Sequence, residues 1–308
     1  MTLQQLNYIM ALEQYRSFAK ASEACGITQP TLSKMVANLE DELDVKIFER
    51  TSKRVMPTDI GLKIIKQASN VIKESNRIQE IISETKDVIN GDMRLAVGPS
   101  IATYLLPKFI KWYGEAYPLV NLSIEEIRPE NMIEALLSGR IDAGIAVGGN
   151  NNADIFEIPL YTEPFWVYLA PTCKLLLSSF TPAELNHENM WIMKEAQCLR
   201  ESAFSFCKAK NKGKRIYEAG NIDTLIRVVD ENGGFTIIPE MHLRFLDEKQ
   251  IKNVRRLSGD HLSCRRVSMY IRHDYIREKM LNTIIISLQK CVPVHMFEPS
   301  LIKYGIRL

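Results

Sequence analysis

From residue 62 to residue 90 this chain of 308 residues contains neither glycine nor proline. Thr58 or Asp59 opens the stretch and Asn90-Gly91 closes it, so it reads as one long helix. Ile64, Ala68, Val71, Ser75, Ile78, Ile82, Thr85 and Ile89 recur at alternating steps of four and three, a heptad seam with Ser75 and Thr85 as its weak places. Ile65, Ile72, Ile81 and Val88 widen the apolar face. A face that broad suits burial against a partner helix together with part of another domain. The helix therefore predicts a homodimer and sets the plan of the chain: a domain over 1–58, a linker over 59–90 and a larger domain over 91–308.

The segment before the linker carries three shorter helical patterns. Leu3 to Tyr15 has its apolar stripe at Leu3, Leu6, Ile9, Met10 and Leu12. Ser17 is placed to cap Phe18 to Cys25, Gly26 breaks the chain, and Thr28 is an N-cap candidate with Pro30 in the following first turn. The third helix runs to about Leu43. Its buried face is Leu32, Met35, Val36, Leu39 and Leu43, and its other face offers Gln29, Thr31, Ser33, Lys34 and Asn38. Two helices joined by a tight glycine turn, the second with amides and hydroxyls at its N-terminal end, make a helix-turn-helix. Amides and hydroxyls reach base edges, and lysine reaches phosphate or guanine. Val45 to Thr58 follows as a β-ribbon with a basic tip, Arg50 to Arg54, which reads as a wing. The net charge is only +2, so a nucleic-acid surface here is a local patch and not a global field.

These residues also resemble a known family. Phe18-Ala19-Lys20-Ala21-Ser22, Gln29-Pro30-Thr31-Leu32-Ser33, Leu39-Glu40, Leu43 and Phe48-Glu49-Arg50 are similar to the DNA-binding domain of LysR-type transcriptional regulators, over about the first 65 residues. The resemblance implies double-stranded DNA as partner. It places Gln29, Pro30, Thr31, Ser33 and Lys34 at the major groove, and Arg50 and Lys53 near the backbone or minor groove. It also implies a linker-helix dimer meeting two half-sites of an inverted repeat, and RNA polymerase as a further partner.

Beyond Gly91 short strand patterns alternate with helical ones: Met93–Val97, Ile101–Tyr117, Val120–Ile127, Asn131–Ser138, Asp142–Val147, then a second set from Pro164 onward. Within that second set, Ile222–Asn232 reads as a helix, Phe235–Ile238 and Arg266–Arg272 as strands, and Tyr275–Gln289 as a closing helix. The alternation predicts α/β architecture with largely parallel sheets. The expected lobes are 91–163 with 270–308, and 164–269. The arrangement resembles the two-lobed, periplasmic-binding-protein-like effector domain of the same family, with the interlobe cleft as ligand site.

Composition excludes several other classes. Apolar content of 46% and charged content of 25% are those of an ordinary globular protein. The N-terminus lacks the basic and apolar regions of a signal peptide, and no apolar run is long enough to span a bilayer, so a cytoplasmic protein with no membrane contact is expected. None of the five histidines pairs with a cysteine at zinc-finger spacing, and there is no phosphate-cradling glycine loop or nucleophile elbow. No metal, no cofactor and no enzymatic activity are expected.

Six cysteines, at 25, 173, 198, 207, 264 and 291, are expected to be mostly reduced in that compartment. Cys198-Leu199-Arg200 with Cys207 nine residues on is similar to the redox segment of the peroxide-sensing branch of the LysR family. Tyr104-Leu105-Leu106-Pro107, Leu160 to Pro164 and Arg265-Arg266 extend the likeness to nearly the whole chain. It implies Cys198 as peroxidatic sensor, Cys207 as resolving thiol, Arg266 as a cation stabilising the thiolate, and Ser100 as a hydroxyl of the peroxide pocket. It further implies a homotetramer whose geometry changes on oxidation.

Leu199 to Phe206 reads as helical, which would hold the two sulfurs about 13 Å apart on opposite faces. A disulfide needs Cα atoms within about 7 Å. Bridging is therefore expected to unwind this helix, making oxidation a refolding event. Two departures stand out: Gln197 replaces the family's usual histidine before the sensor cysteine, and Pro129 stands where a second threonine hydroxyl is usual. The alternative is a LysR-type regulator triggered by a small organic effector in the cleft, with the cysteines incidental.

Overall fold

The computed structural model describes residues 1–50, 55–84, 88–173, 179–180, 190–191, 221–257 and 264–307. Two compact units result, Met1–Thr85 and Lys86–Leu308.

In the first unit, α1 (Leu3–Tyr15) starts in a capping box. The Thr2 hydroxyl accepts from the Gln5 amide, and the Gln5 side chain accepts from the Thr2 amide. Helix α2 (Phe18–Ala24) is capped by Ser17, and α3 (Gln29–Leu43) by Thr28 with proline in its first turn. Leu6, Ile9, Leu12, Ala21, Leu32, Val36 and Leu39 close the three-helix core. Strands β1 (Phe48–Arg50) and β2 (Val55–Pro57) pair antiparallel as the expected ribbon. The tip of that ribbon, 51–54 with Lys53, lies outside the described residues.

The ribbon is fastened to α3 by Glu40. Its buried carboxylate accepts from the amides of Ile47, at 2.8 Å, and Phe48, at 3.0 Å. Helix α4 (Asp59–Glu84) spans 26 residues, about 39 Å at 1.5 Å per residue. Its first turns belong to this unit. Ile65 and Ala68 are buried in the core, and Ile64 and Ile72 pack beside them. Val71, Ile78, Ile81 and Ile82 are exposed. The expected seam is corrected at both ends. Ile64 and Ala68 serve the unit's own core, and Val88 and Ile89 are not helical. Ile89 packs instead against the core of the second unit, because the chain turns at Gly91 (φ 96°) into a strand.

The second unit begins with β3 (Gly91–Val97), α5 (Pro99–Ala116), β4 (Val120–Glu126), α6 (Pro129–Leu137) and β5 (Ala143–Val147), with β3 parallel to both β4 and β5. Strand β6 (Ile155–Leu169) then leaves this lobe. The second lobe holds β7 (Ser179–Phe180), α7 (Ile222–Asn232), β8 (Phe235–Pro239), α8 (Glu248–Ile251) and β9 (Val254–Leu257), with a 3-10 turn, Glu240–Phe245, after β8. Strand β10 (Cys264–Arg272) returns to the first lobe, and α9 (Glu278–Leu288) and α10 (Pro299–Tyr304) close it.

Each lobe has its own core. One is built on Leu95, Val97, Leu105, Phe109, Ile145, Met269, Leu281 and Ile284, the other on Val167, Leu169, Leu225, Ile226, Val229 and Ile238. The sheets are mixed, not largely parallel. Strand β10 runs antiparallel to β5 and β6, and β6 runs antiparallel to β8 and β9. The second set of elements does not start at Pro164. Strand β6 is continuous from Ile155, its first part pairing β10 and its last part pairing β8 and β9. Pro164 is opposite Cys264, where β10 begins, so Tyr270 lies mid-strand in the first lobe. The helix expected over 199–206 lies outside the described residues.

Candidate DNA-reading face and effector pocket

Helix α3 turns Leu32, Val36 and Leu39 inward, which leaves Gln29, Pro30, Thr31 and Lys34 exposed and Ser33 half-buried along its first turns. The Thr31 hydroxyl is 2.9 Å from that of Thr28, so it serves the cap as well as the surface. Arg50 ends strand β1 at the base of the wing.

In the second unit, α5 begins at Pro99, so Ser100 lies inside the first helical turn and not before it. The N-cap is Gly98, which has no side chain to satisfy the first amides. The Ser100 hydroxyl accepts from Nη1 of Arg265 at 3.2 Å, and its carbonyl accepts from Nη2 at 3.3 Å. Arg265 lies directly across the β6–β10 ladder from Glu163, and both side chains are buried. Glu163 Oε2 accepts from Arg265 Nε at 2.9 Å, and Nη2 lies 2.8 Å from the same oxygen as an ion-pair contact.

Glu163 takes two further donors. The Tyr104 hydroxyl reaches Oε2 at 3.0 Å, and the Met241 amide reaches Oε1 at 2.9 Å. Because the Tyr104 proton goes to Glu163, the hydroxyl of Tyr161, 2.9 Å away, donates to Tyr104. Burial, then Glu163, hold the Tyr104 phenol well above its ordinary pKa, so it remains a neutral donor. Burial opposes the Arg265 charge, but Glu163, Tyr104 and Tyr161 outweigh it and the guanidinium stays protonated. Arg244, in the 3-10 turn, donates to the Tyr104 carbonyl.

Arg266 does not face Ser100. Successive strand residues point to opposite faces, so Arg265 is buried at Ser100 while Arg266 is exposed on the side of Cys264. Arg265 is the arginine that contacts Ser100, and the parity of β10 distinguishes the two. Burial raises the Cys264 thiol pKa and Arg266 opposes the rise. Burial likewise raises Cys25, and it pushes Cys291 up to about 11, where the thiol donates to the Ser287 carbonyl at 3.3 Å. None of these three is poised as a thiolate. Pro129 occupies the first turn of α6, a position that suits proline and supplies no hydroxyl. Cys198 and Cys207, with Gln197 and Arg200, lie outside the described residues. Among the described residues, no group of three or more metal-ligating side chains occurs.

A helix-turn-helix with a ribbon wing, a long helix, and a two-lobed α/β domain with a buried polar cluster at a helix N-terminus are the parts of a DNA-binding regulator. Residues 3–62 match the profile described as "Bacterial regulatory helix-turn-helix protein, lysR family", and residues 86–290 match "LysR substrate binding domain". The chain belongs to the LysR family of DNA-binding transcriptional regulators.

Within that family the chain is similar to OxyR proteins. It is 30% identical to the "Hydrogen peroxide-inducible genes activator" of Haemophilus influenzae, over 83% of this chain and 85% of that one. It is 29% identical to the "DNA-binding transcriptional dual regulator OxyR" of Escherichia coli, over 78% and 80%. Its fold matches a full-length OxyR variant from Pseudomonas aeruginosa with a TM-score of 0.77 and 27% identity, covering 97% of this chain and 98% of that one.

Proposed function

We propose that this regulator senses hydrogen peroxide through reversible formation of a Cys198–Cys207 disulfide and controls oxidative-stress genes. The observation that carries the reading is the near full-length likeness to hydrogen peroxide-inducible activators, with two cysteines nine residues apart in the matched domain. The geometry of Ser100 supports it. A hydroxyl at the uncapped start of α5, with a guanidinium fixed beside it, is suited to hold a small polar oxidant and to favour negative charge nearby.

In the first step the Cys198 thiolate attacks one peroxide oxygen. An S–O bond forms, the O–O bond breaks, and hydroxide leaves and takes up a proton as water. In the second, the Cys207 thiol attacks the sulfenic sulfur, an S–S bond forms and a second water leaves. Peroxide gains the two electrons that the dithiol loses. The chemistry is one turnover per switch, so the protein acts as a sensor and not as an enzyme.

Arg265 rather than Arg266 provides the cation at Ser100 in this reading. Gln29, Pro30, Thr31, Ser33 and Lys34 meet the major groove of double-stranded DNA, and Arg50 and Lys53 approach its backbone or minor groove. Exposed Val71, Ile78, Ile81 and Ile82 supply the apolar face of a homodimer, from which a homotetramer is assembled to engage promoter DNA and RNA polymerase. No helix among the described residues is long and apolar enough to cross a membrane.

The test is differential alkylation and peptide mapping before and after a stoichiometric peroxide pulse, with promoter binding measured in parallel. A Cys198–Cys207 linked peptide, and loss of the DNA response in Cys198→Ser, are expected. A DNA response that persists in Cys198→Ser would transfer the trigger to a ligand in the cleft.

A further inference from the structure

We infer that Glu163 is a positioning residue of the effector pocket: its buried carboxylate aims the Arg265 guanidinium at Ser100. The inference rests on the reading of Ser100 as part of the peroxide pocket. It assigns to Glu163 a role in that site that the spacing of residues along the chain does not suggest.

A carboxylate has about four acceptor positions, and the donors on Glu163 come from three different places. Arg265 on β10 supplies its Nε, with Nη2 in ion-pair contact beside it, Tyr104 on α5 supplies its hydroxyl, and the start of the 3-10 turn supplies the Met241 amide. Such a carboxylate cannot rotate without giving up a buried hydrogen bond. Arg265 is a planar group, and with Nε and Nη2 both drawn to Oε2 and Nη2 also donating to the Tyr104 hydroxyl, that edge of the guanidinium is held. What remains, the Nη1 edge, points at the Ser100 hydroxyl. Ser100 and Tyr104 are one helical turn apart, so the same face of α5 meets both the pocket edge and the anchored edge of the fork. Without Glu163 the guanidinium would have Ser100 and the Tyr104 hydroxyl as its remaining partners here, with no acceptor of opposite charge.

Glu163 also cancels much of the charge of Arg265, and the two roles have opposite signs. If cancellation dominated, removing the carboxylate would leave a stronger cation at Ser100, which would lower the pKa of a thiol brought to that site and speed its reaction. If positioning dominates, the guanidinium leaves Ser100, the thiol pKa rises towards its ordinary value and the reaction slows. A buried guanidinium holding a two-nitrogen contact depends on orientation, and a misplacement of about 1 Å near reacting atoms costs about a hundredfold.

The experiment uses the full-length protein and Glu163→Gln. The rate of peroxide-dependent loss of the alkylatable Cys198 thiol is followed from pH 5 to pH 9, with thermal melting as the folding control. A rate at pH 7 lowered about tenfold to a hundredfold, with the midpoint of the pH profile moved upward, is expected. A rate equal to or faster than the unsubstituted protein, or a midpoint moved downward, would overturn the inference. Should Glu163→Gln not fold, Glu163→Asp decides by the same measurement. It keeps the charge and withdraws the carboxylate by one methylene, so only the positioning role predicts slowing. If the unsubstituted protein's Cys198 does not react with peroxide at all, the proposed function fails and this inference falls with it. A normal Cys198 reaction that Glu163→Gln leaves untouched removes this inference alone.

Discussion

His242 Nε2 stands 3.0 Å from Asp223 Oδ1, with the imidazole fully buried and the carboxylate about half exposed. The contact is an ion pair when the ring is protonated, and Nδ1 has no hydrogen-bond partner among the described residues. The ring belongs to the same 3-10 turn that donates to Glu163, and it packs against Phe245. Burial lowers its pKa and Asp223 works against that. Further off, Glu163 raises it and Arg265 lowers it.

The sign of the resulting pH dependence follows. A histidine whose folded pKa is below its unfolded value of about 6.5 favours folding only while neutral. Its contribution is complete above about pH 6.5 and is lost as pH falls below that value towards the folded pKa. The melting temperature is therefore expected to drop more steeply between pH 7.5 and pH 5.5 in the unsubstituted protein than in His242→Phe. Parallel melting curves for the two would show that His242 titrates without consequence.

Glu40 ties the recognition helix to its wing through the Ile47 and Phe48 amides. Glu40→Ala would strand two buried donors, at a cost of about 2–4 kcal/mol to the winged helix. Urea denaturation of the full chain, followed by a probe in the first unit, measures the loss. DNA affinity is expected to fall with it, because the wing would no longer be held at a fixed angle to α3.

Two helical glycines are expected to respond in opposite ways to alanine. Helix propensity alone favours alanine at both positions by about 1 kcal/mol. At Gly61 an added Cβ would meet the Ile47 carbonyl oxygen at 2.0 Å, which is backbone and cannot step aside. Gly61→Ala is therefore expected to destabilise by about 1–3 kcal/mol. At Gly114, within α5, nothing lies within 4 Å of the added atom, so Gly114→Ala is expected to stabilise. Chemical denaturation of the two variants side by side decides both signs.

On α3, exposed Lys34 and Gln29 are expected to behave differently on operator DNA. Lys34→Ala, removing a phosphate contact, should weaken binding to all sequences alike and reduce the salt slope by about 1. Gln29→Ala, removing a base contact, should cost about 1–3 kcal/mol on the operator and relax the preference at one base pair. Binding titrations at several salt concentrations, on specific and non-specific duplexes, separate the two.

The winged helix was legible in the chain because its signals are local. Thr2, Ser17 and Thr28 sit directly before the helices they cap, and Gly26 marks its own turn through a positive φ. The cluster of Glu163, Arg265 and Ser100 was not legible in the same way. Glu163 and Arg265 are 102 residues apart, and nothing near either announces the other. Arg265 and Arg266 are chemically alike, and the choice between them is made by which residue of β10 stands opposite Glu163. The linker helix was read too long for a related reason. An apolar residue at heptad spacing looks the same whether it faces a partner helix or, as Ile89 does, the core of the next unit. Pro164 suggested an element boundary, yet it is accommodated inside β6 where the pairing passes from one set of neighbours to another.

That unbroken β6 limits how the two lobes can respond to anything bound between them. A swivel on a loose loop would let each half drift freely. Here the passage is a pleated ribbon, hydrogen-bonded to β10 up to Pro164 and to β8 from Phe165. Rotation of one lobe against the other must wind or unwind that ribbon, and the strain reaches Glu163 and Arg265, which stand one rung from the crossing. Such a joint would act as a torsion spring with the Glu163–Arg265 pair mounted on its coil, so a change in the angle between lobes is expected to register at that pair.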